Sequence, residues 1–196
     1  MVIEFLREEH RNIEKLLLVL ERELGVFDRG QRPDYEVIGA VIAYFQVHPE
    51  LYHHPQEDLV FAKLKARDPA AAAVIGDLAA EHRTGAGHLC QVAQAVEGVL
   101  MDQEVQRRTV DDIIHNFIAH ERRHMAMEER DFFPVAERIL QAEDWAEIAS
   151  SRSAGQKDPL FSETIELRFA AVRRHILQLE QEAEAERASR TNSEAK

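Results

Sequence analysis

His53-His54-Pro55-Gln56-Glu57-Asp58-Leu59-Val60-Phe61 returns later in the chain as His124-Met125-Ala126-Met127-Glu128-Glu129-Arg130-Asp131-Phe132, both reading H-x-x-x-E-(D/E)-x-x-F. On a helix, residues four apart share a face, with Cβ atoms about 5–6 Å apart. Each stretch therefore aims one imidazole and one carboxylate at the same spot. Borderline divalent metals such as iron accept that mixed nitrogen and oxygen set. A single H-x-x-x-E pair is usually a solvated surface contact, and 10 histidines make some coincidences ordinary. Two copies of the longer pattern are much harder to place by chance.

Working outward, apolar spacing is helical throughout and strand signals are nearly absent. Val2, Phe5, Leu6, Ile13, Leu16, Leu17 and Leu20 form one stripe, predicting a helix over 2–24. Gly25 is expected to close it and Gly30 to Pro33 to make the turn. Asp34 can cap a second helix carrying Val37, Ile38, Val41, Ile42 and Phe45 on to Leu64, with a kink at His48–Pro49. Asp68-Pro69 opens a third helix reaching Met101. A fourth is predicted from Val105 to Phe133, ending by Pro134.

A looser segment with Trp145 and a linker at Ser150–Gly155 follow. Asp158-Pro159 repeats the cap-plus-proline signal for a fifth helix bearing Phe161, Ile165, Phe169, Val172, Ile176 and Leu179. That helix is expected outside the bundle or against a second subunit. The organisation is thus a bundle over 1–140, a linker and C-terminal helix over 141–180, and a Glu-, Ala-, Arg- and Ser-rich tail over 181–196 expected to be disordered. Connections of roughly four to nine residues make neighbouring helices antiparallel. The fold class is all-α, an up-down-up-down four-helix bundle with an added helix.

Helices one and three add His10 and His82, each preceded by Glu. At 1.5 Å per residue, His10, the His53/Glu57 pair, His82 and the His124/Glu128 pair all lie roughly 7–18 Å above one common end of such a bundle. All four sets are compatible with a single layer.

Composition narrows the setting. The chain is 45% hydrophobic and 31% charged with a formal charge of −12, which argues against nucleic acid or anionic membrane as a partner. No apolar run is long enough to span a bilayer. Glu4, Glu8 and Glu9 near the start are unlike a secretory leader, and Cys90 is the single cysteine, so a reducing cytoplasm is expected.

At His10, H-H-P-Q-E-D at 53–58, E-H at 81–82 and H-M-A-M-E-E-R-D-F-F-P at 124–134, the chain resembles the haemerythrin-like, or HHE cation-binding, domain family. The resemblance covers about 1–140. It implies two iron ions bound by His10, His53, His82 and His124, bridged by Glu57, Glu128 and an oxo or hydroxo group. The oxygen carriers it resembles have a second histidine one turn along the third helix, where this chain has Ala86. His88 points about 240° round from His82 and cannot simply replace it. The position is left open, or filled from His54 or His120.

Reversible oxygen carriage is therefore in doubt. The leading expectation is a non-haem di-iron protein that binds or reacts with oxygen, peroxide or nitric oxide. Iron storage, delivery or iron-centre repair is an alternative, as is a metal-dependent sensor acting through the C-terminal helix. A ferritin-like arrangement, using Glu50-x-x-His53 and Glu121-x-x-His124 with Glu9 and Glu81, competes on spacing. It lacks the long crossover that fold usually needs. Blander readings make Cys90 a small buried residue, Phe61 and Phe132 an apolar wall, Met125 and Met127 packing, and Glu9, Glu81 and Glu129 outer-shell or exposed charges.

Overall fold

A computed structural model describes residues 2–101, 103, 106–151, 158–162 and 165–194, with 190–194 described by backbone only. The chain is all-helical, with no strand among the described residues. Nor is any described helix long and apolar enough to cross a membrane.

Helix α1 spans Val2–Asp28 and buries Leu6, Ile13, Leu16, Leu17, Leu20 and Leu24. Gly25 lies within it rather than ending it. The helix stops at Gly30, whose φ of 78° is left-handed. Gly30 N donates to Phe27 O and Gln31 N to Val26 O, the paired bonds by which a left-handed glycine satisfies the last carbonyls. Asp34 then caps α2, Tyr35–His48, accepting from the backbone N–H groups of Glu36 and Val37. Asp34→Ala should cost about 1 kcal/mol, read as a lower urea midpoint at unchanged slope.

The expected kink at Pro49 is instead a π turn, Pro49–His53, which carries the chain into α3, His54–Arg67. His54 N–H donates to Pro49 O, so the backbone closes at five residues rather than four. The second repeat has the same device. Helix α6 runs Arg107–Met127, a π turn covers Glu128–Phe132, and α7 continues over Phe133–Ile139. Pro134 therefore does not end this segment, because it occupies the first turn of α7, where a missing N–H costs little.

The expected third helix is also divided. Asp68 caps α4, Pro69–Ile75, and Gly76 at φ 101° breaks the run before Asp77 caps α5, Leu78–Leu100. Val105, the expected start of the fourth helix, and the 152–155 part of the linker lie outside the described residues. The segment around Trp145 is not loose but forms α8, Ala142–Ser151, tied to α3 by Arg67 at 2.9 and 3.2 Å from Asp144. Asp158 caps only a short turn, accepting from Leu160 N and Phe161 N. The last helix, α9, runs Ala170–Glu194, starting later than Asp158 and continuing past 180.

Helix α1 packs on α2 and α6, α2 on α5, and α5 on α6, which closes a ring. Helix α9 lies on α1 and α2 of its own chain and the short turn Leu167–Phe169 before it on α2, with Phe169, Val172 and Ile176 buried. Two apolar clusters fill the interior. One holds Val2, Ile3, Leu6, Val60, Leu64, Leu78, Phe132 and Phe133. The other holds Ile13, Leu16, Leu17, Phe45, Leu89, Val92, Phe117 and Ile118. His10, His53, Glu57, His82, His124 and Glu128 fall between the two along every helix of the ring, and all six are buried.

Candidate metal centre

The two π turns explain how the site is dressed. His48 and His53 are five apart, on opposite sides of an ordinary α-helix. Across the π turn both reach Glu9, His48 Nε2 at 3.0 Å from Oε1 and His53 Nδ1 at 3.0 Å from Oε2. Likewise Glu128 enters the site while Phe133, five residues on, stacks on the His10 ring at 5.3 Å.

Glu57 stands at the centre, fully buried. His53 Nε2 and His10 Nε2 lie 3.2 and 3.4 Å from its Oε1, and His82 Nε2 lies 3.4 Å from its Oε2. Glu128 faces it, 3.4 Å from His10 Nε2, 3.3 Å from His124 Nε2 and 3.8 Å from His82 Nε2. Both oxygens of both carboxylates, and Nε2 of His10, His82 and His124, are buried without a hydrogen-bond partner among the described residues. Burying such atoms unsatisfied is costly, and convergence of so many in one layer is the arrangement a cation satisfies. Two donor groups fit one, His10 with His53 and Glu57, and His54 with Glu57, His82 and His124. In each the donor atoms lie within 4.8 Å of one another.

The imidazoles are oriented from outside. His10 Nδ1 is 2.9 Å from Glu129 Oε1, and His53 Nδ1 bonds Glu9 as above. A carboxylate only accepts, so Nδ1 carries the hydrogen and Nε2 is left for a cation or a proton. His82 Nδ1 lies 3.3 Å from Asp58 Oδ1 without hydrogen-bond alignment.

The charges pull hard on one another. Burial draws the His10 pKa down, but Glu128 and Glu57 outweigh it and hold it up at about 9. His82 is likewise lowered by burial and carried up to about 9 by Glu128 and Glu57. His53 ends well above its ordinary range despite complete burial, through Glu57 and Glu9. Burial favours neutral Glu57, yet His53, His10 and His82 keep it well below the usual carboxylate range. His124 goes the other way, lowered by burial. A cation entering beside His10, His53 and His82 competes with protons for these three rings.

All six residues expected from the sequence thus meet in one layer. Of the two substitutes for the histidine absent at Ala86, His54 joins, its ring stacked on His82 at 4.2 Å and 6.1 Å from His124. His120 instead meets His88 at 4.9 Å, edge to face. Of the carboxylates of the ferritin-like alternative, Glu121 is buried but belongs to neither donor group, nor do the other three. Glu81 is exposed, Glu50 lies 3.5 Å from His54 Nδ1, and Glu9 faces the outer nitrogens. Glu129 and Glu9 orient imidazoles. Phe61 and Phe132 meet at 5.7 Å beside the layer, while Cys90 is exposed rather than buried.

Residues 1–136 match the Hemerythrin HHE cation binding domain family. The chain belongs to that haemerythrin family. No curated protein and no solved structure matches it. As a haemerythrin-family member the chain is a cation-binding protein, and its His/Glu clusters are the groups through which it can bind one. His48, which shares Glu9 with His53, and Tyr44 and Asp158, which contact His48, were not legible as site residues. A five-residue spacing has no meaning on an α-helix, and only Pro49 just after His48 hints at the wider turn.

Proposed function

We propose that this chain is a cytoplasmic non-haem di-iron protein that binds or reacts with a small oxidant such as oxygen, peroxide or nitric oxide. His10 and His53 would hold one iron and His54, His82 and His124 the other, with Glu57 and Glu128 shared between them. The observation that carries this is the single layer of buried, unpartnered imidazole nitrogens and carboxylate oxygens. Iron in such a site supplies electrons and a coordination position for the small molecule, while the protein sets geometry and access. With His54 filling in for the position at Ala86, the His10/His53 side has the fewer protein donors. It would be the side on which a small molecule coordinates.

The fold that suits this is an antiparallel up-down-up-down four-helix bundle. The order of the apolar clusters supports it. Along α1 the Leu6 cluster comes first and the Leu16 cluster second; along α2–α3 the order reverses, along α5 it reverses again, and along α6–α7 once more. Layers met in alternating order are what alternating helix directions produce.

Anaerobic loading with ferrous iron should leave about two irons per chain after desalting, as in other carboxylate-rich di-iron bundles. Visible spectra after oxygen, peroxide and nitric oxide in turn should then change for at least one of them. Retention of no iron would remove the proposal; retention without any spectral response would leave only iron binding.

A further inference from the structure

The segment beyond the matched family domain reaches the outer side of the metal centre. Asp158 Oδ1 accepts from its own turn, Leu160 N at 2.8 Å and Phe161 N at 2.7 Å, which fixes the carboxylate in place. Leu160 is fully buried beside it. Asp158 Oδ2 accepts the Tyr44 hydroxyl hydrogen at 2.7 Å and lies 3.5 Å from His48 Nε2. The same His48 nitrogen is 3.0 Å from Glu9 Oε1, and the other Glu9 oxygen is 3.0 Å from His53 Nδ1. Rings close around this line. Tyr44 stacks on His48 at 5.2 Å and meets Phe161 and Phe169 edge to face at 6.1 and 6.0 Å.

We propose that Asp158 is a positioning residue for the metal centre, acting through His48 and Glu9 to fix the His53 imidazole. This rests on the reading of His53 as a metal ligand. A single Glu9 carboxylate shared by two imidazoles is steered by both. If His48 turns away, Glu9 can rotate, and His53 loses the partner that sets its ring plane and the basicity of Nε2. Asp158 and Tyr44 hold His48 from the far side. The C-terminal segment is thereby a part of the site's support and not only a covering for α1 and α2.

The test uses the full chain with Asp158→Asn, His48→Gln and the double variant. Iron release to a strong chelator is timed from the loaded protein. Exchange of the His53 ring N–H is followed by NMR in protein kept free of iron. Removing a partner that orients a ligand costs about 10–100-fold in affinity, so release is expected to quicken by roughly tenfold in each single variant. Ring N–H exchange should quicken alongside it. Because both substitutions cut one line, the double variant should be no faster than the faster single.

Unchanged release and exchange in Asp158→Asn would overturn the proposal, as would fully additive effects in the double variant. Should Asp158→Asn loosen the whole C-terminal segment, His48→Gln decides alone, since it leaves Asp158 bonded to Tyr44 and its own turn. If the native chain holds no iron, the di-iron reading fails by itself, and ring exchange still decides whether Asp158 fixes His53.

Discussion

Glu57→Gln is expected to lower iron affinity by at least about 100-fold, beyond the range found for residues that only orient ligands. The substitution keeps the shape of the side chain and removes its charge. Three imidazoles, those of His53, His10 and His82, point Nε2 at this one carboxylate from 3.2 to 3.4 Å. Its oxygens have no hydrogen-bond partner among the described residues. Glu57 also appears in both donor groups, so a single change removes a donor from each of them at once. Glu8→Gln is the natural control: that residue is exposed and pairs with Arg11 on the outer face of α1. Equilibrium dialysis against ferrous iron under anaerobic conditions reads both variants. Equal binding by native protein and Glu57→Gln would refute the central role given to this residue.

The layer of six buried His and Glu residues was legible because it depends on coarse quantities. Helix rise and four-residue spacing put His10, His53, Glu57, His82, His124 and Glu128 at similar heights, and errors of a few residues at helix ends do not destroy that coincidence. What escaped depends on local backbone geometry. Gly25 and Gly30 look alike in sequence, and only the conformation at Gly30 marks it as the true helix end. The π turns at Pro49–His53 and Glu128–Phe132 insert extra backbone without breaking the apolar pattern, so periodicity alone cannot register them. Yet these turns bring His48 onto Glu9 and place Phe133 against His10. Gly76 divides the third helix between two good caps, and an alanine-rich stretch before it hides the break. Asp158 gave the opposite error. A cap-plus-proline signal closes a turn, and here the chain uses it to anchor the segment without starting a helix.

Glu121→Gln is expected to stabilise the protein, and the gain should depend on pH. Glu121 is 7% exposed, on the face of α6 that meets Gly85, where an added Cβ would lie 3.1 Å from its Oε1. Burial raises its pKa from an ordinary 4.5 to about 7; the nearby charges of Glu128 and Glu50 add to this while His53 and His82 oppose it. Because the folded value lies above the unfolded one, the folded chain holds a proton between pH 4.5 and 7 that the unfolded chain releases. Stability attributable to this group therefore falls as pH rises through that window and is flat above it. At about 1.4 kcal/mol per pKa unit, the penalty above the window is about 3 kcal/mol. Glutamine keeps the volume and carries no charge to desolvate. Urea unfolding of both proteins with a chelator present should show little difference at pH 5 and a clear gain for Glu121→Gln at pH 8. A gain of equal size at both values would mean that packing, and not ionisation, is what the substitution relieves. No gain at pH 8 would mean that the Glu121 charge is well accommodated inside the bundle.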